Sequence, residues 1–84
     1  MGGRNFTYVY ILESIEHPGH FYTGYSQNLK KRLAAHNHGQ CRHTSQMRPW
    51  RIKNAIAFTD DQKARAFEKY LKSGSGRAFA VRHF

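Results

Sequence analysis

From Phe6 to Glu13 the chain alternates Phe6, Tyr8, Tyr10 and Leu12 with Thr7, Val9, Ile11 and Glu13, so an extended strand there carries apolar groups on both faces. Such a strand sits in the middle of a sheet or has cover on both sides. The remainder of an 84-residue chain must supply that cover. This length allows one domain, spanning 1–84, with a single modest core.

Met1 to Asn5 reads as a frayed start. Ser14 to Gly19, with Pro18-Gly19, makes a loop, and His20 to Ser26 a second strand. A turn centred near Glu16 sets Tyr10 opposite Tyr22, with both phenols on one face. Gly24 follows on that face, where a missing side chain lets a ligand or a backbone come close. Phe21, on the other face, is assigned to the core. A basic helix begins near Asn28, capped by Ser26 or Asn28, and Gly39 ends it. Within it Leu29 and Leu33 point inward, while Arg32 and His36 share a neighbouring stripe at the i, i+4 spacing and Lys30 and Lys31 point elsewhere.

Gly39 to Trp50 is a long polar, basic loop with no sustained period. Its Arg42, His43, Thr44, Ser45 and Arg48 suit phosphate contacts, and a connector whose charges serve solubility is the plainer alternative. Trp50 after Pro49 reads as a core anchor rather than a base-stacking platform. Arg51 to Phe58 makes a third strand. Thr59 with Gln62 forms a capping box, and Asp60 and Asp61 suit the positive end of the helix that follows. That helix runs to about Ser73, burying Ala64, Phe67, Tyr70 and Leu71, with Gly74 as its stop. A short helical tail then closes the core with Phe79, Val81 and Phe84. The order β-β-α-β-α-α predicts an α/β chain of the α+β sandwich kind: a small three-stranded, mainly antiparallel sheet flanked by helices.

Fourteen Lys and Arg against five Asp and Glu give a net charge of +9. The cations are spread through the elements, so they form a charged face rather than a tail. That face points to a polyanion, nucleic acid before an anionic membrane, with a merely solvated surface as the alternative. Cys41 is the sole cysteine, which excludes an internal disulfide, and no apolar run suggests a leader or a bilayer span. The cytoplasm is the expected compartment and no membrane is expected as partner. Myristoylation at Met1-Gly2-Gly3 is discounted because Phe6 stands where that motif wants Ser or Thr.

Among the carboxylates, Glu13 ends a strand, Glu16 lies in a loop, and Asp60 and Asp61 cap a helix. Glu68 stands alone among cations, and by itself pairs most simply with Lys72 at i, i+4. Zinc fits poorly, because His36, His38 and Cys41 lack a fourth ligand at a convincing spacing.

Tyr8-Val9-Tyr10, Tyr22-Thr23-Gly24, Arg32 eight residues after Gly24, His36 one turn later, Arg48-Pro49-Trp50 and Glu68 occur in that order. With these features the chain resembles the GIY-YIG nucleases, specifically their small stand-alone bacterial members, over nearly its whole length. The resemblance implies a DNA endonuclease that hydrolyses phosphodiesters with one divalent metal, in the setting of DNA repair or recombination. It implies Tyr10, Tyr22, Arg32 and His36 as catalytic candidates and Glu68 as the sole protein ligand of Mg²⁺ or Mn²⁺, hard cations suited to one carboxylate, water and phosphate oxygens. Gly24, Lys31, Arg42, His43, Arg48 and Lys72 are the candidate nucleic-acid contacts. Tyr22 or Tyr10 would help deprotonate water; a free phenol titrates near about 10, so Arg32 and a metal must favour the phenolate. The chain departs from many such nucleases in having no Asn after Glu68, where Ser73 or Ser75 are the available substitutes. A nucleic-acid-binding module of the same fold with little or no cleavage is therefore the second reading.

Overall fold

The computed structural model describes residues 5–84, so the expected frayed start lies, apart from Asn5, outside the described residues. The strand with two apolar faces, β1 (Thr7–Ser14), is the central one of an antiparallel sheet, between β2 (Phe21–Ser26) and β3 (Trp50–Phe58). On one face Val9 and Ile11 pack with Ala64 and Leu71 of α2 (Asp61–Leu71) and with Phe79, Ala80 and Phe84, of which the first two belong to α3 (Gly74–His83). On the other, Tyr10, Leu12 and Trp50 pack with Leu29 and Leu33 of α1 (Leu29–Asn37) and with Met47. Each fully buried Val or Leu contributes about 1.5–3 kcal/mol, so a strand feeding two clusters anchors both layers. The result is an α+β fold of order β-β-α-β-α-α.

The register differs from the expected one. Tyr10 lies opposite Gly24, and Tyr22 opposite Leu12, because the connecting turn closes between Ser14, whose N–H donates to the His20 carbonyl at 3.0 Å, and His20. A displacement of two residues keeps every side chain on its face, so both tyrosines still share one. What changes is the use of Gly24. A Cβ there would stand 2.6 Å from the Tyr10 hydroxyl oxygen, so the bare backbone accommodates the Tyr10 ring rather than an incoming ligand.

Asn28 caps α1, its Oδ1 accepting from the Lys31 N–H at 3.0 Å, and Gly39, with φ +77°, turns the chain away at the other end. The cap of α2 is Asp60 rather than Thr59: Oδ1 of Asp60 accepts from the N–H groups of Gln62 and Lys63 at 3.0 and 3.1 Å. Thr59 stands one residue too early to reach them. The helix stops at Leu71, and Ser73, accepting from Gly76 N–H at 3.1 Å, starts the ten-residue α3 at Gly74. Gly74 thus opens a helix instead of closing one.

Three side chains assigned to the core are outside it. Phe21, at the start of the edge strand β2, is 53% exposed under the Lys53 ammonium, and Tyr70 and Val81 turn outward on α2 and α3. Trp50 is buried as expected. Its Nε1 donates to the Thr44 carbonyl at 2.9 Å, and its backbone exchanges two hydrogen bonds with the Asn37 amide, joining the end of α1 to the start of β3.

Candidate active site

Tyr10 comes from the central strand, Tyr22 from the edge strand, and Arg32 and His36 from successive turns of α1 on the same side of the sheet. The Arg32 Nε–H donates to the Tyr10 hydroxyl oxygen at 3.4 Å, and 3.2 Å separates that oxygen from Nε2 of His36. The Tyr22 ring lies 4.9 Å from the His36 ring and 6.5 Å from that of Tyr10, centroid to centroid. Four of the residues singled out in the sequence therefore converge on one spot.

The two tyrosines have different environments. Tyr10 is 2% exposed, whereas Tyr22 is half-buried. Burial pushes the Tyr10 phenol above its ordinary value, and the hydrogen bond and charge of Arg32 offset that only in part. Arg32 does favour the Tyr10 phenolate, through its hydrogen bond and its charge, but desolvation outweighs the guanidinium. The guanidinium gains instead: its bond to Tyr10 holds Arg32 even more firmly protonated.

His36 is wholly buried, and burial first, then the Arg32 charge, push its imidazole below the ordinary range. The unfolded chain takes up this proton near about 6.5, while the folded one resists until lower pH. Acidification below about 6.5 therefore favours unfolding, and the stability that neutral His36 provides is lost as pH falls through its folded value. Urea unfolding of the wild type should weaken between about pH 7.5 and about pH 5 by more than that of His36→Gln, which lacks the buried imidazole. Equal slopes would mean that the imidazole charges without penalty.

The loop from Gly39 to Trp50 is more ordered than its composition implies. A 3₁₀ turn at Ser45–Met47 and the buried Thr44 hold it against α1, and Thr44 Oγ1 lies 2.8 Å from Nδ1 of His36. Sequence reasoning missed Thr44 as a partner of the site; its place eight residues after His36, within the loop, carried no periodic signal.

The nucleic-acid candidates are dispersed. Lys31 is exposed on α1 and shares a small cleft with Arg32, Ser26, Asn28 and Gln40. Arg42 and His43 are exposed on the loop, and the Arg48 guanidinium lies over Gly39 at the end of α1. Gly24 is buried beneath Tyr10. Lys72 lines an open groove with Tyr22, Lys53, Arg77 and an apolar floor.

Glu68 stands apart from the quartet. It lies on α2, which packs on the sheet face opposite α1, and its carboxylate pairs with Lys72. The groove at the β2 edge is lined by both Tyr22 and Lys72. Among the described residues no three His, Cys, Asp or Glu side chains gather to hold a metal. The donor chemistry still fits a hard cation held by one carboxylate with water and phosphate oxygens, since Glu68 is only 13% exposed at its side chain and already balances a cation in Lys72. The remaining carboxylates are largely accounted for: Asp60 caps α2, Asp61 accepts from the Thr7 hydroxyl and pairs with Arg65, and Glu13 pairs with Arg51.

A small antiparallel sheet presents two tyrosines to an arginine and a histidine on the adjoining helix, and the family comparison assigns such a chain a nuclease-type fold. A family profile described as the GIY-YIG catalytic domain matches residues 6–80, and the chain belongs to the GIY-YIG family. It is similar to a UPF0213 protein of Streptococcus agalactiae, 33% identical over 72 residues that make up 84% of this chain and 80% of that one. A UPF0213 protein of Bacillus licheniformis is likewise 33% identical, over 81% of this chain and 69% of its own. Among the described residues no helix is long and apolar enough to cross a membrane.

Proposed function

We propose that this chain is a metal-dependent DNA endonuclease that hydrolyses phosphodiester bonds within one domain spanning residues 1–84. The observation that carries the reading is the convergence of Tyr10, Tyr22, Arg32 and His36 from three elements onto one spot. Arg32 is anchored through Nε, which leaves its terminal nitrogens for a phosphate and for the charge that builds on the oxygens in the transition state. Tyr22, the more exposed of the two, acts as its phenolate and takes the proton of the attacking water, becoming the neutral phenol, while buried Tyr10 holds Arg32 and His36 in place. His36 orients the pair. Glu68 would hold Mg²⁺ or Mn²⁺, freed from Lys72, and the bound ion supplies polarisation of the scissile phosphate and of the leaving oxygen. Lys31, Arg42, His43, Arg48 and Lys72 contact phosphates along the strand. A cytoplasmic setting and work in DNA repair or recombination belong to the same reading.

The Glu68–Lys72 ion pair favours a second reading, a nucleic-acid-binding module with little cleavage, and so does the lack of a late Asn. Incubation with labelled duplex, single-stranded and branched DNA, with and without Mg²⁺ or Mn²⁺, separates the two. The endonuclease reading expects product on at least one DNA, only with metal; binding without product on any would select the module.

Binding should rest on phosphates under either reading, since the +9 charge is distributed. Affinity for unrelated duplexes should fall about tenfold or more between about 50 and about 200 mM salt, with little difference among sequences. A strong sequence preference, or no salt slope, would count against it.

A further inference from the structure

The contacts around His36 form one chain: Arg32 Nε to the Tyr10 hydroxyl at 3.4 Å, that hydroxyl to His36 Nε2 at 3.2 Å, His36 Nδ1 to Thr44 Oγ1 at 2.8 Å, and Thr44 Oγ1 to the Cys41 carbonyl at 3.3 Å. Both ends of this chain have fixed polarity. A guanidinium N–H can only donate, and a carbonyl oxygen can only accept. The Tyr10 oxygen accepts from Arg32, and its single proton finds its acceptor in the chain at His36 Nε2 when that nitrogen carries none. A neutral imidazole then bears its proton on Nδ1 and donates to Thr44 Oγ1, whose own proton goes to the Cys41 carbonyl. Read from either end, the chain has the same direction.

We propose that Thr44 is a positioning residue of the site: by accepting the Nδ1 proton it holds His36 in the tautomer whose Nε2 accepts from Tyr10, which leaves the Tyr10 oxygen to anchor Arg32. In the opposite tautomer, Nε2–H and Arg32 Nε–H would both donate to one phenol oxygen, and the Tyr10 proton would lose its acceptor in a site where Tyr10 is 2% and His36 0% exposed. Arg32 would then lose the contact that aims it. Thr44 is itself 1% exposed, and the loop that carries it is pinned by Trp50 Nε1 donating to its carbonyl, so the acceptor is held by packing as well as by hydrogen bonds.

Nitrogen-detected NMR of the imidazoles reads the tautomer without any assay of cleavage. The wild type should show His36 protonated on Nδ1; protonation on Nε2 overturns the proposal whether or not any variant folds. Thr44→Val keeps shape and removes the hydroxyl, and should move His36 towards the Nε2-protonated form, while Thr44→Ser should keep the wild-type tautomer. The part of the proposal that concerns cleavage rests on the endonuclease reading. There Thr44→Val should lower kcat by about 10- to 100-fold with KM nearly unchanged, as for residues that orient a functional imidazole, and Thr44→Ser should recover most of it. An unchanged tautomer in Thr44→Val, or equal losses in Val and Ser, overturns the proposal. Absence of cleavage by the wild type on every DNA would instead sink the endonuclease reading and leave the tautomer result standing.

Discussion

Replacing Tyr22 with phenylalanine should lower DNA cleavage by about 10² to 10⁴, the usual worth of positioned general-base help, while folding and DNA binding hold. The expectation follows from the unequal surroundings of the two phenols. Tyr22 is half-buried at the edge strand, against the His36 ring and on the groove that also holds Lys72. Tyr10 is almost fully buried, its phenol pushed up by desolvation and its oxygen already engaged with Arg32 and His36. A buried phenol reluctant to ionise is a poor base, so Tyr10→Phe should cost less in cleavage. Its cost appears instead in stability, about 1–3 kcal/mol, because His36 loses a buried partner. Single-turnover cleavage and urea unfolding of both variants read the difference. Equal, small losses in cleavage would make both tyrosines core residues and move water activation to His36 or to a metal-bound water.

Replacing Glu68 with glutamine keeps the shape of the side chain, removes its charge and frees Lys72. If Glu68 is the one protein ligand, the variant loses Mg²⁺ and Mn²⁺ binding, read by calorimetric titration with the metal alone. Cleavage falls by about 10³, because the charge stabilisation a metal supplies is several kcal/mol. Stability changes little, since an i, i+4 ion pair on a helix is worth about 0.3–0.5 kcal/mol and the Lys72 end of this one is half-exposed. Metal affinity and cleavage that both survive the substitution would leave Glu68 as the partner of Lys72 and nothing more.

The two-faced strand made the sheet order legible, since only a central position covers both Val9 and Tyr10. The tyrosine, arginine and histidine quartet was legible too, because strand alternation and the i, i+4 helical spacing fix which side chains share a side. The register was not. A loop such as Ser14 to Gly19 admits more than one closure, and a two-residue displacement leaves the hydrophobic pattern intact, so pattern alone cannot choose. The turn closes between Ser14 and His20, and that register brings Tyr10 over Gly24, where a side chain would collide with its hydroxyl. Helix ends were blurred for a similar reason: Thr59 and Asp60 are both good caps, and the winner is the one whose oxygen reaches the N–H groups of Gln62 and Lys63. Thr44 was invisible as a partner of His36 because a contact between a helix and an irregular loop leaves no period in the sequence.

In the proposed reaction residues on two faces of the sheet act together, with Tyr22, Arg32 and His36 on one side and Glu68 on the other. A double-substitution cycle of Tyr22→Phe and Glu68→Gln, followed by single-turnover cleavage of the preferred DNA with saturating Mg²⁺, tests that union most directly. Groups that serve one step are strongly non-additive, so the double variant should be hardly slower than the slower single one. Losses that multiply, or a Glu68→Gln protein that cleaves like the wild type, would contradict a single site built from both faces.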